Sequence, residues 1–199
     1  AVTSIALSTH GERLATGRGR VLLPGEVFLY DPAVPELKHA LETNDVIQAL
    51  DFSPDGKSLL LSRYNSVAST ELFVLDIASG VVRPVGPTGR PIAYIGGAFA
   101  ADGGHVVTLS DDKSDMARPV VIDLASGAVR DLEPGAKWPA EGFDLSPDGT
   151  LIAYLVNEEG YSKIVVKEVA SGKTLPTPAL PMGVLTGLGS GSAWRAARA

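Results

Sequence analysis

Between Phe143 and Gly172 the chain alternates short apolar runs with clusters of turn residues. Phe143-Asp144-Leu145 alternates apolar and polar residues and leads into Ser146-Pro147-Asp148-Gly149. In that tetrapeptide Pro147 fixes φ, Asp148 can accept nearby backbone N–H groups, and Gly149 can take the positive φ that closes a turn. Residues 151–156 are a run of β-formers, Asn157-Glu158-Glu159-Gly160 reads as a second turn, and residues 164–169 read as a third strand. Ala170-Ser171-Gly172 turns the chain again. Strand-length runs joined by tight turns predict an antiparallel meander.

The same grammar occurs three more times. Ser53-Pro54-Asp55-Gly56 precedes Leu59-Leu60-Leu61, and Asp76-Ile77-Ala78-Ser79-Gly80 follows. Ala101-Asp102-Gly103 precedes Val106-Val107, and Asp123-Leu124-Ala125-Ser126-Gly127 follows. A degenerate first copy has Ser8-Thr9-His10-Gly11 and then residues 27–31. The turn glycines at 11, 56, 103 and 149 are spaced by 45, 47 and 46 residues, and Asp31, Asp76, Asp123 and Glu168 by 45, 47 and 45. Two markers on one period identify a repeat. A period in the mid-forties with four short strands per unit predicts an all-β chain: a partial β-propeller of about four four-stranded antiparallel blades. One such sheet cannot bury both faces alone, and stacking against neighbours can.

The units fall at 1–45, 46–90, 91–137 and 138–182, with the start of a fifth from 183 and an irregular tail at 189–199. The first unit carries an insertion, Gly17-Arg18-Gly19-Arg20 followed by Leu23-Pro24-Gly25, expected as a solvated loop. Residues 36–42 read as either a helical turn or an irregular outer strand. The chain opens at Ala1 within a strand pattern and stops in what should be the opening strand of a fifth unit. The expectation is therefore a piece of a longer protein, its compartment open.

Composition narrows the function classes. With 45% hydrophobic and 20% charged residues the chain is ordinary for a globular protein. A net charge of −6 disfavours nucleic acid or an anionic membrane surface as partner. No apolar run reaches the length of a membrane span. The absence of cysteine excludes disulfides and thiolate zinc sites.

Candidate chemistry is sparse, and no catalytic, metal-binding or cofactor-binding residue is assigned. No serine sits in the Gly-x-Ser-x-Gly of a nucleophile elbow. His10, His39 and His105 fall on different units without a metal-ligand partner at short spacing. Glycine is plentiful but forms no phosphate loop. Asp111-Asp112-Lys113-Ser114-Asp115 is rich in the hard oxygen ligands that calcium takes, yet matches no calcium loop and includes Lys113. An exposed hairpin tip is the expectation there.

Ser-Pro-Asp-Gly before a β-run, with a downstream Asp-x-Ala-Ser-Gly, resembles the PD40-type propeller repeat of TolB and prolyl oligopeptidase relatives. Residues 155–162 (Leu-Val-Asn-Glu-Glu-Gly-Tyr-Ser), Leu180-Pro181-Met182-Gly183-Val184 and residues 94–99 (Tyr-Ile-Gly-Gly-Ala-Phe) are similar to the propeller of bacterial S9-family serine peptidases of dipeptidyl aminopeptidase or acylaminoacyl peptidase type. The resemblance covers about residues 1–188. It implies a non-catalytic propeller that gates and shapes peptide access to an α/β-hydrolase domain absent from this chain. The implied partners are that hydrolase domain and a peptide substrate. In one group of these enzymes adjacent glutamates grip a peptide's free amine, which makes Glu158 and Glu159 the candidate substrate-binding pair. Their hairpin-tip setting also reads as simple solvation. The alternative is a TolB-like propeller that binds proteins.

Overall fold

The computed structural model of the chain describes residues 2–7, 14–20, 23–31, 34–43, 45–177, 183–185 and 187–188. The turn expected at residues 8–11, His10, and the tail at 189–199 lie outside the described residues. The repeat becomes four four-stranded sheets, each a meander in sequence order. The first holds β1 (Val2–Leu7), β2 (Leu14–Arg20), β3 (Leu23–Asp31) and β4 (Val34–Thr43). The second holds β5 (Val46–Phe52), β6 (Ser58–Ser66), β7 (Ser69–Asp76) and β8 (Val82–Val85). The third holds β9 (Tyr94–Phe99), β10 (His105–Ser110), β11 (Arg118–Asp123) and β12 (Val129–Asp131). The fourth holds β13 (Ala140–Leu145), β14 (Leu151–Glu158), β15 (Tyr161–Glu168) and β16 (Thr174–Leu175). All pairings are antiparallel.

The turns use the predicted chemistry. Gly56, Gly103 and Gly149 have φ of 68°, 66° and 65°. Each donates its N–H three residues back, to the carbonyls of Ser53, Ala100 and Ser146. The Ser53 hydroxyl donates to Asp55 at 2.6 Å and accepts the Ser58 N–H at 2.9 Å, and Ser146, Asp148 and Leu151 repeat that arrangement. At the far turn Asp76 accepts the backbone N–H and hydroxyl of Ser79, and Asp123 does the same for Ser126. Glu168, one methylene longer, accepts the Ser171 hydroxyl at 2.6 Å. These side chains satisfy backbone donors that the tight turns leave without ladder partners.

The core is divided into three layers, one between each consecutive pair of sheets. Side chains alternate across a strand, so a strand with sheets on both sides must be apolar at successive positions. In β6, Leu59 and Leu61 pack with Ala6, Ala15 and Val27 of the first sheet, while Leu60 packs with Phe99, Val106 and Ile122 of the third. In β10, Val106 faces the second sheet, and Val107 and Leu109 pack with Ile152 and Tyr154 of the fourth. The runs Leu-Leu-Leu and Val-Val are the two-sided strands of stacked sheets.

Two local expectations change, and a third, open between a helical turn and an irregular outer strand, is decided as the strand. The Gly17–Arg20 stretch is the end of β2, and the Arg-rich insertion lengthens a strand pair rather than forming a loop. Residues 36–42 lie in β4, a ten-residue strand, because pairing with β3 extends from Asp31 back to Gly25. The third hairpin is not simply exposed. Asp112 has a carboxylate only 1% exposed and is ion-paired with Arg90, and Asp111 accepts the Ala93 N–H at 2.8 Å. The link that leads from the second sheet into β9 packs on Asp111 and Asp112, while Lys113 and Asp115 stay exposed.

Candidate binding cleft

The innermost strands β5, β9 and β13 line an open cleft of about 780 Å³. Each is the first strand of its meander. The positions repeat: Leu50, Gly97 and Phe143 correspond, as do Asp51, Ala98 and Asp144. The smallest residues fall on β9 for a steric reason. A Cβ on Gly97 would stand 2.9 Å from Leu60 and 3.1 Å from Leu50, and one on Gly96 would stand 3.1 Å from Phe143. Large side chains from both flanking sheets thus close over the β9 backbone. Gly96 also has φ of +67°, which a side chain would strain.

Asp51 is the chemically distinctive group. It is half-buried, and its Oδ2 crosses to the next sheet to accept the Phe99 N–H at 2.8 Å. Burial pushes its carboxyl up to about 6, only partly offset by the N–H groups of Phe99 and Phe52. Sequence reasoning passed over Asp51. The available signal was an Asp two residues before each Ser-Pro-Asp-Gly, at 51 and 144.

Glu158 and Glu159 sit elsewhere, at the tip of the β14–β15 hairpin. Glu159 and Gly160 both have positive φ, 53° and 90°, the backbone of a tight two-residue hairpin turn. Glu158 is ion-paired with Lys163 across the hairpin. Neither glutamate is among the residues that line the cleft. His105 lies between Asp102, 2.7 Å away, and Asp123, 3.4 Å away, while His39 packs edge-on to Phe28. The serine hydroxyls at 53, 79, 126, 146 and 171 cap turns. Among the described residues no group of three or more His, Asp or Glu is placed to hold a metal ion, and no helix is long and apolar enough to cross a membrane.

The junction between the third and fourth sheets carries an ion pair whose lysine is buried and whose glutamate is half-buried. Lys167, with a side chain 6% exposed, reaches Glu133 at 2.6 Å, and the Tyr154 hydroxyl donates to the same carboxylate oxygen at 2.8 Å. Burial raises the Glu133 carboxyl, but Lys167 and Tyr154 more than offset it and leave it below the usual range. Burial and the Glu133 charge push the Tyr154 hydroxyl up.

No family model matches the chain. Centriole proteome protein 16 from Chlamydomonas reinhardtii is 29% identical over 89 residues, which is 45% of this chain and 4% of that protein. Among solved structures, TolB from Acinetobacter baumannii superposes with a TM-score of 0.67 at 20% identity, over 87% of this chain and 42% of that one. A puromycin hydrolase gives 0.64 at 16% identity, over 88% of this chain and 28% of that one. Prolyl oligopeptidase B from Galerina marginata gives 0.67 at 17% identity, over 87% and 26%. The chain spans less than half the length of each of these structures. At such identities the likeness is one of fold, and the fold is a run of consecutive β-propeller blades.

Proposed function

We propose that the chain is the non-catalytic propeller portion of an S9-family serine peptidase, gating and shaping peptide access to an α/β-hydrolase domain that is not in this chain. The open cleft along β5, β9 and β13 carries this reading. It offers the aliphatic and aromatic surfaces of Leu50 and Phe143 and the Asp51 carboxylate, a combination suited to a short peptide. Likeness in fold to puromycin hydrolase and prolyl oligopeptidase B supports it. The bond-breaking chemistry would reside in the hydrolase domain, with a serine nucleophile and its base. Glu158 and Glu159 belong to this reading as a candidate grip on a peptide amine, which would have to displace Lys163 from Glu158.

The alternative is a TolB-like module that binds proteins through the same cleft, supported by the superposition on TolB. The coding sequence downstream of residue 199 separates the two. A Gly-x-Ser-x-Gly followed by Asp and His is expected for the peptidase, and a downstream region lacking them refutes it. Titration with short peptides adds a direct readout: binding that Leu50→Ala and Phe143→Ala weaken together supports the cleft as the site.

A further inference from the structure

Two buried polar atoms where the second blade meets the third, the Tyr94 hydroxyl and Asp112 Oδ2, have no hydrogen-bond partner among the described residues. Tyr94 opens β9 and is buried in the layer with Val85, Ile92 and Ile122. By strand pairing the same place is held by Ile47 in the second sheet and Ala140 in the fourth, both buried. The fold therefore asks only for an apolar residue here. The hydroxyl is an addition, and burial penalises it unless something accepts its proton.

Asp112 lies on the hairpin between β10 and β11, which the link into β9 holds down. The Asp111 N–H donates to the Ala93 carbonyl at 3.3 Å, and the Asp111 carboxylate accepts the Ala93 N–H at 2.8 Å. Asp112 Oδ1 is ion-paired with Arg90, and the Asp112 N–H donates to Ser110 Oγ at 3.0 Å. Burial, and after it the negative charge of Asp112, push the Tyr94 hydroxyl up to about 12. At neutral pH the hydroxyl is thus a donor, and the carboxylate that acts on it most strongly is an acceptor. Gly86 keeps side-chain atoms away from this hydroxyl, since a Cβ there would stand 3.0 Å from Tyr94 Oη and 3.3 Å from Ile122.

A ligand that satisfies both atoms must accept one hydrogen bond and donate another. A metal ion cannot accept, and an anion cannot donate. Arg90 already balances the Asp112 charge, so a neutral molecule fits. We propose that one buried water molecule is bound between Tyr94 and Asp112, accepting from the tyrosine hydroxyl and donating to Oδ2, and that it ties the third hairpin to the layer between the second and third blades. Buried waters serve in this way where two or more polar groups converge out of reach of bulk solvent. The site lies apart from the cleft residues and holds equally for a peptidase propeller or a TolB-like one.

A crystal structure of the 199-residue chain that shows ordered solvent tests it, together with oxygen-17 relaxation dispersion in solution. The crystal should show one water within hydrogen-bond reach of both Tyr94 Oη and Asp112 Oδ2. A direct bond between the two groups, a metal ion between them, or no molecule between them overturns the proposal. In solution the double variant Tyr94→Phe, Asp112→Leu removes both partners, and Arg90, whose side chain is 44% exposed, can turn to solvent. It should hold about one fewer long-lived water than the wild type, whereas Tyr64→Phe, at an exposed tyrosine, should leave the number unchanged. An unchanged number in the double variant counts against the site. If that variant fails to fold, the wild-type crystal structure decides.

Discussion

Replacing Asp51 by Asn should stabilise the protein at neutral pH. The carboxyl is shifted by burial from 3.8 to about 6, so the charged form is less favourable in the folded state than in the unfolded one. At about 1.4 kcal/mol per unit, this corresponds to roughly 3 kcal/mol at full strength. Asp51 is only half-buried on an open cleft, and solvent screening reduces the expected gain to about 1–2 kcal/mol. The sign follows from the raised value. Above pH 6 the folded protein carries the penalised charge, and as pH falls from about 6 toward 4 the penalty disappears because the folded state takes up the proton first. Asn cannot titrate, yet its carbonyl oxygen can still accept the Phe99 N–H, and its amide can face the cleft. Urea unfolding of both proteins at pH 7.5, 6 and 4.5 should show the variant more stable at the first and the difference shrinking toward the last. An Asp51→Asn variant no more stable at pH 7.5, or a difference independent of pH, would refute the reasoning. Asp51→Ala separates charge from hydrogen bonding, because it leaves the buried Phe99 N–H without its acceptor, at a cost of about 1–3 kcal/mol.

The remaining predictions concern packing, the Lys167–Glu133 ion pair and activity. Gly149→Ala should cost more than about 2 kcal/mol, since its Cβ would fall 2.6 Å from the Ala101 backbone nitrogen at a φ of +65°. Gly127→Ala, at φ of +71° with open space around it, should cost only about 1–2 kcal/mol; equal losses on thermal unfolding would count against the steric argument. Glu133→Ala should destabilise by about 3–5 kcal/mol, because it leaves the buried Lys167 uncompensated, whereas Glu133→Ala combined with Lys167→Met should recover much of the loss in chemical denaturation. The purified chain should not cleave dipeptide nitroanilides; activity above that of a control preparation would show that a nucleophile had been overlooked. Sedimentation should detect concentration-dependent self-association, since an arc of blades leaves sheet faces at its ends, and a monomer at all concentrations would contradict this.

The spacing of the Asp-Gly turns and of the acidic residues before Ala-Ser-Gly was enough to place the strands of the second, third and fourth blades. Turn chemistry is local: Pro147, Asp148 and Gly149 act on backbone within a few residues, so their meaning is legible without neighbours. The consecutive Leu59, Leu60 and Leu61 read as a strand after the turn, and stacking between two sheets covers it on both faces. What the sequence could not settle was anything set by contacts between blades. Asp111 and Asp112 read as exposed because their own segment is polar, and only the packing of residues 90–93 buries Asp112 against Arg90. Residues 36–42 became a strand because β3 offered an edge to pair with, a tertiary decision that propensity does not make. Gly96 and Gly97 carry no local signal of their role: their lack of Cβ makes room for Leu50, Leu60 and Phe143, which are distant in sequence. Asp51 looked like any polar residue in an alternating strand. Its altered acidity arises because a carboxylate on one blade is drawn out of water to meet a backbone N–H on the next, and no local pattern encodes that meeting.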